Sequence, residues 1–295
     1  MSILSIENIS KYYGRVQALK GVSFNVQKAT VFGILGPNGS GKTTLLGIIM
    51  DILKPSSGAY KLFGEVPNET HRMQIGTFLE TPNFYHYLTA VQNLKIAAAI
   101  KGRGEKDIPW VLEMVNLTHR KDSRFITYSL GLKQRLAIAS CLLGNPEVLI
   151  LDEPTNGLDP VGIAEIRALI KKLHLEGKTI IMASHLLDEV EKVCTHVAIL
   201  KKGELVATGN VNEILANEDI VELGAADMSR LKSSVQKLSG YNSISEQDNL
   251  IQLFYPIGTI NLESINQHCF NDNVVLNHLQ LKKKSLESKF FELTN

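Results

Sequence analysis

The stretch TVFGILGPNGSGKTTLLGIIMDIL, residues 30–53, decides how the chain is read. Thr30 to Leu35 is a β-branched, apolar run of the kind that forms a buried strand. It leads into Gly36-Pro37-Asn38-Gly39-Ser40-Gly41-Lys42-Thr43, which satisfies G-x-x-x-x-G-K-[ST]. From Thr43 to Ile52 aliphatic residues recur at helical spacing, until Lys54-Pro55-Ser56-Ser57-Gly58 ends the run as a turn. Strand, glycine loop, helix is the context in which this pattern cradles phosphates.

The chemistry follows from the residue types. Glycines let successive backbone N–H groups face an anion, and the helix behind them adds its positive end. Lys42 is expected to reach the β and γ phosphates of ATP, and Thr43 to offer its hydroxyl to Mg²⁺. The expected ATP-binding set here is Gly36, Asn38, Gly39, Ser40, Gly41, Lys42, Thr43 and Thr44. A second apolar strand, Val148-Leu149-Ile150-Leu151, ends in Asp152 and Glu153. Adjacent carboxylates at the end of a buried strand are costly without a cation. Asp152 is therefore expected to serve the Mg²⁺, and Glu153 to orient or deprotonate the attacking water.

Working outward, Ser5 to Ile9 and Val16 to Val26 read as short strands, and residues 71–140 as largely helical after a strand near Ile75 to Leu79. Asn93 to Lys101 and Trp110 to Asn116 are its amphipathic pieces. Strand and helix then alternate through Gly162 to Leu175, Thr179 to Ser184, Leu186 to Cys194 and His196 to Lys201, which argues a parallel sheet covered by helices. Near residue 217 the composition shifts to Gln, Asn, Ser and Lys. A small α+β domain is expected there, with strands at Asp219 to Glu222, Gly240 to Ser245, Leu250 to Phe254 and Val274 to Leu281. Its expected helices are Met228 to Leu238, Leu262 to Cys269 and Leu286 to Leu293.

Global properties exclude several classes. With 295 residues, 44% hydrophobic and 21% charged, the chain has apolar surface enough to fold. Its 31 basic and 30 acidic residues leave a net charge of +1, so no basic field invites nucleic acid as a partner. Cys141, Cys194 and Cys269 are scattered and odd in number, which suits a reducing, cytoplasmic setting. The N-terminal stretch lacks the order of a secretory signal. Its greasiest runs fall far short of the roughly 20 apolar residues that span a bilayer, so another chain would have to cross any membrane involved.

Between the two motifs lies Tyr128-Ser129-Leu130-Gly131-Leu132-Lys133-Gln134-Arg135, which resembles a variant of the LSGGQ signature of ABC transporter ATP-binding subunits. Asn156-Gly157-Leu158-Asp159 is similar to that family's D-loop, His185 to its switch histidine, and Tyr13-Gly14 to the aromatic position that stacks on adenine. The matches keep the family's order through about residue 220. The resemblance implies a P-loop α/β ATPase over residues 1–217, with a helical insertion at about 81–145 and a small domain over 218–295. It implies Glu153 and His185 as catalytic residues, and Tyr13, Ser129, Gly131 and Asp159 as further ATP contacts.

The resemblance also implies partners: a second ATPase subunit, most simply a copy of this chain, joined head to tail by ATP so that Ser129 and Gly131 act on the partner's nucleotide, and a separate transmembrane permease that holds the pair at the inner face of the membrane. Phe84, Tyr85 and Tyr87 would border the permease-docking groove. Two departures stand out. Glu80 occupies the family's usual glutamine position and would join Thr43 and Asp152 near the metal, and Leu130 and Leu132 replace glycine and glutamine in the signature. Leu79 to Tyr85, with the closing segment Ser285 to Thr294, resembles the bacitracin-resistance and lantibiotic-protection exporters. The alternative is a soluble ABC ATPase acting on ribosomes or DNA. Those relatives usually carry two cassettes or a long coiled coil, and this sequence has neither.

Overall fold

The computed structural model describes residues 2–79, 82–215, 219–247, 249–256, 258–283, 286 and 290, and the chain divides into two compact units, 1–209 and 210–295. Glu80 and most of the closing segment from Ser285 lie outside the described residues.

The first unit opens with β1 (Ser2–Tyr13) and β2 (Val16–Gln27), then β3 (Val31–Leu35), α1 (Lys42–Ile49), β4 (Ser57–Leu62), α2 (Glu69–Met73) and β5 (Ile75–Phe78). Three helices follow, α3 (Ala90–Lys101), α4 (Ile108–Met114) and α5 (Leu130–Leu142). The chain then alternates β6 (Val148–Asp152), α6 (Pro160–Leu175), β7 (Thr179–Ser184), α7 (Leu187–Val193), β8 (His196–Lys201) and β9 (Glu204–Asn210).

These strands form two sheets. One is six-stranded, in the order β5-β6-β7-β3-β8-β9, with β5, β6, β7, β3 and β8 paired in parallel. The other is a three-stranded antiparallel sheet, β2-β1-β4. Sequence periodicity anticipates the first sheet apart from β9, and in the second it anticipates β1 and β2 but not β4. The strand expected at Val16 to Val26 matches β2 to within one residue, whereas that expected at Ser5 to Ile9 extends over 12 residues as β1, because register shifts and a left-handed Asn8 break the alternation that would reveal its length. The expected turn at Ser57-Gly58 instead begins β4, whose pairing partner β1 lies about 50 positions away, as in Glu7 opposite Ala59.

One core cluster joins the two sheets through α1. Leu45, Leu46, Ile48 and Ile49 are all buried, together with Phe24 and Phe32, whose rings stack at 5.2 Å. Each buried aliphatic side chain here contributes roughly 1.5–3 kcal/mol, so the helix behind the glycine loop is firmly seated. In the helical region, Thr89 and Gln92 form a reciprocal capping box that starts α3 three residues before the expected Asn93.

The second unit contains α8 (Val211–Leu215), β10 (Asp219–Ala225), α9 (Met228–Val235), β11 (Ser243–Gln247), β12 (Leu250–Tyr255), α10 (Leu262–Asn271) and β13 (Leu276–Lys283). Its sheet order is β11-β12-β10-β13, with all neighbours antiparallel. That order, with a helix after β10 and another after β12, is the split βαβ arrangement of ferredoxin-like modules. Val221, Leu223, Leu231, Val235, Leu253 and Ile265 fill its core. The helix expected at Leu286 to Leu293 lies outside the described residues, apart from buried Leu286 and Phe290.

Candidate functional site

Parallel register brings the chemistry to one edge of the sheet. Leu35 at the end of β3 pairs with Ser184 of β7, and Asp152 at the end of β6 pairs with Ala183 of β7. The residues that follow these ends, Gly36, Glu153 and His185, therefore emerge side by side at the carboxyl ends of the strands, where open α/β sheets bind ligands.

The glycine loop after β3 has no room for side chains at two positions. A Cβ on Gly36 would lie 2.3 Å from Ser40 Oγ and 2.4 Å from the Leu200 carbonyl. Gly41, at φ 106°, caps α1, and a Cβ there would lie 2.7 Å from the Ala18 carbonyl. No side chain caps the helix, so its first N–H groups are left for an anion. Lys42 is buried and folds over the loop, donating to the Gly36 carbonyl at 2.8 Å and the Pro37 carbonyl at 3.3 Å.

Across the loop, Glu153 takes a left-handed backbone at φ 49°, anchored by its N–H to the Ala183 carbonyl. Non-glycine residues held there cost on the order of 1–3 kcal/mol and cluster at functional sites. This geometry directs one carboxylate oxygen to 3.6 Å from Lys42 Nζ and the other to 2.9 Å from His185 Nδ1. Asp152, fully buried, shares with Thr43, Thr44, Asn38, Gly39 and these three residues the lining of one cavity of about 800 Å³. Asn156 and Gly157 of the expected D-loop line it as well.

Ser129, Gly131 and Asp159 line a different cavity, of about 440 Å³. Ser129 caps α5 by accepting from the Leu132 N–H, and Asp159 caps α6 by accepting from the Gly162 N–H at 2.8 Å. Arg135, buried at the same cavity, is ion-paired with Glu165. Tyr13 is half-exposed at the end of β1, with Lys11 Nζ 5.3 Å above its ring, and does not line the P-loop cavity; Ala18 of β2 does.

A third cleft, of about 610 Å³, opens between the end of β5 and helices α3 and α5. Phe84 and Tyr85 line it, but Tyr87, expected to do the same, does not; it stands exposed with its ring 6.0 Å from that of Tyr85. Asn93, buried on α3, holds the rim by accepting from the Tyr85 N–H and donating to the Tyr85 and Thr89 carbonyls. Sequence reasoning does not single out Gln134, which lies on the wall of the P-loop cavity. Its spacing of four from Leu130 on one helix is the signal that could have found it.

Comparison with known proteins agrees with this geometry. Residues 19–156 match the ABC transporter family. The bacitracin transport ATP-binding protein BcrA of Enterococcus faecalis is 34% identical over 99% of this chain and 96% of its own length. The lantibiotic transport ATP-binding protein SrtF of Streptococcus pyogenes is 35% identical over 75% of this chain and 99% of its own. Among solved structures, the dimeric post-hydrolysis state of the ATP-binding cassette MJ0796, bound to ADP and Pi, superposes with a TM-score of 0.62 at 28% identity, covering 70% of this chain and 98% of that one.

Proposed function

The chain belongs to the ABC transporter family as an ATP-hydrolysing subunit, and from that premise we propose that it powers export of an antimicrobial-peptide or drug-like cargo through a separate membrane permease. The observation that carries this reading is the Lys42–Glu153–His185 cluster at the mouth of the P-loop cavity. Similarity to BcrA over nearly the whole of both chains supports the exporter assignment.

The donor set fits Mg²⁺. A wholly buried carboxylate, Asp152, and the hydroxyl-bearing Thr43 share one cavity with Lys42, and hard oxygen donors of this kind suit that ion. Glu80 joins them on resemblance alone. The metal would neutralise charge on the β and γ phosphate oxygens. The rest falls to the chain's own side chains. Lys42 binds phosphate oxygens, Glu153 holds the attacking water and accepts its proton, and His185 fixes the Glu153 carboxylate and the γ-phosphate.

Ser129, Gly131 and Asp159 border a cavity other than the chain's own P-loop cavity, which supports their acting on nucleotide held by a second copy. Two copies placed head to tail would share two equivalent sites, consistent with a two-fold pair that ATP closes and hydrolysis releases. On the resemblance alone, Tyr13, exposed outside the P-loop cavity, would serve as an adenine platform. The cleft beside Phe84 and Tyr85 is proposed as the docking site of the permease. No helix among the described residues is long and apolar enough to cross a membrane, so attachment to the inner face would come through that partner.

The test is to co-express the chain with the membrane protein that co-purifies with it and to reconstitute the pair in vesicles. ATP-driven accumulation of bacitracin or a lantibiotic supports the reading. ATPase activity that no permease stimulates, with no peptide movement, overturns it.

A further inference from the structure

The first two turns of α5 face two cavities at once. Gln134 lines the P-loop cavity, Gly131, Leu132 and Arg135 line the second cavity together with the capping Ser129, and Leu130, four residues from Gln134, borders both. On the P-loop side Gln134 is the polar residue. It is 2% exposed, and its amide oxygen Oε1 is cut off from solvent with no hydrogen-bond partner. A buried, unpaired carbonyl oxygen is a standing cost to the free chain, and such groups are uncommon in folded proteins.

Resting on the ATP site proposed above, we infer that Gln134 is a further residue of that site, its amide oxygen accepting a hydrogen bond from a water of the hydrated divalent cation that accompanies ATP. Three features of the wall support this. The orphaned atom is an acceptor, and Mg²⁺ keeps several waters, each a strong donor. The cavity also holds Thr43 and Asp152, the oxygen groups suited to that ion, so a bound cation would share the cavity whose wall Gln134 forms. The last torsion of a glutamine side chain is soft and broad, so turning the oxygen toward the cavity needs only rotation of the terminal amide and no shift of α5. The ligand-free chain therefore carries an unmet acceptor that cation binding satisfies. Because α5 also presents Ser129 to the second cavity, occupancy of one cavity bears on the helix that frames the other.

The experiment compares the wild-type chain with Gln134→Leu, which cannot accept, and Gln134→Met, whose thioether accepts only weakly, both close to glutamine in size. Binding of a non-hydrolysable ATP analogue is measured by calorimetry with Mg²⁺ and with EDTA, alongside thermal midpoints. Loss of one hydrogen bond to the cation's water should weaken Mg²⁺-dependent binding about three- to tenfold and leave binding in EDTA within about twofold. Removing an unpaired buried oxygen should leave the ligand-free midpoint unchanged or raise it by about 2–4 °C. Identical Mg²⁺ dependence in wild type and both variants overturns the inference. So does an equal loss of affinity in EDTA, which would make Gln134 a phosphate contact, or a lowered ligand-free midpoint in both variants, which would make it structural. Wild-type protein that fails to bind the analogue at all instead overturns the ATP site itself.

Discussion

Glu153 Oε2 lies 2.9 Å from His185 Nδ1 although the two residues belong to different strand ends, and the other Glu153 oxygen faces Lys42 at 3.6 Å. One carboxylate thus ties the lysine of the glycine loop to the histidine after β7, and it does so from a left-handed backbone. A group so placed can hold a water against the γ-phosphate only if its charge and position are both kept.

Glu153→Gln keeps the shape and removes the base. Turnover should fall by about 10²- to 10⁴-fold, while ATP affinity stays within a few-fold of wild type. Steady-state phosphate release measured beside nucleotide binding checks both, and wild-type turnover in the variant would assign the base to another residue.

Lys42→Ala acts on binding. The ammonium group bonds the Gly36 and Pro37 carbonyls and sits in the cavity proposed to take the phosphates. Charge-assisted hydrogen bonds contribute roughly 1.5–3 kcal/mol, so ATP affinity should fall by at least about tenfold in calorimetric titration. Unchanged affinity would remove Lys42 from the nucleotide site.

Ser129→Arg tests the head-to-tail pair. The substitution places a bulky cation at the exposed start of α5 and removes its cap, costing about 1 kcal/mol of stability. Light scattering in a Glu153→Gln background should find ATP-dependent dimers without the arginine and monomers with it, with ATP binding retained. A persistent dimer contradicts a site shared between copies.

Asn93→Leu should loosen the rim of the cleft beside α3. It strands the Tyr85 N–H and leaves the Tyr85 and Thr89 carbonyls with only their backbone donors, the Leu88 and Asn93 N–H groups. An unmet, part-buried N–H costs about 1 kcal/mol or more, so the urea midpoint should drop and stimulation by the proposed permease should be lost. Full stimulation would exclude this rim from docking.

The second unit should weaken in acid. Glu222 is buried on its sheet, and burial pushes the carboxyl up, but hydrogen bonds from Gln252 and Lys282, with the nearby Lys282 and His278 charges, outweigh it and hold it below the usual carboxylate range. Its contribution to stability is therefore complete above the unfolded value of about 4.3 and is lost as pH falls through the folded value. Hydrogen-exchange protection factors at β10 and β12 in the full chain, corrected for the intrinsic rate at each pH, should fall below about pH 4, and Glu222→Gln should flatten that dependence. Protection factors independent of pH in the wild type would contradict this.

The strand, loop and helix of residues 30–53, and the apolar strand ending at Asp152 and Glu153, are determined by the sequence alone, because each is a contiguous pattern whose meaning lies within one supersecondary unit. The alternation through Lys201 is legible for the same reason, and Thr179 to Ser184 and His196 to Lys201 match their strands residue for residue. Long-range pairing decided the rest. The strand at Ser57–Leu62 exists because β1 offers it an edge, and the split βαβ order of the second unit depends on β12 inserting between β10 and β11. At the site, only the parallel register of β6 with β7 brings Glu153 to His185, and only the seating of α5 turns Gln134 toward the P-loop while Gly131 faces the second cavity. A sequence specifies which groups are available; which of them meet is set when strands far apart in the chain bury their apolar faces against one another.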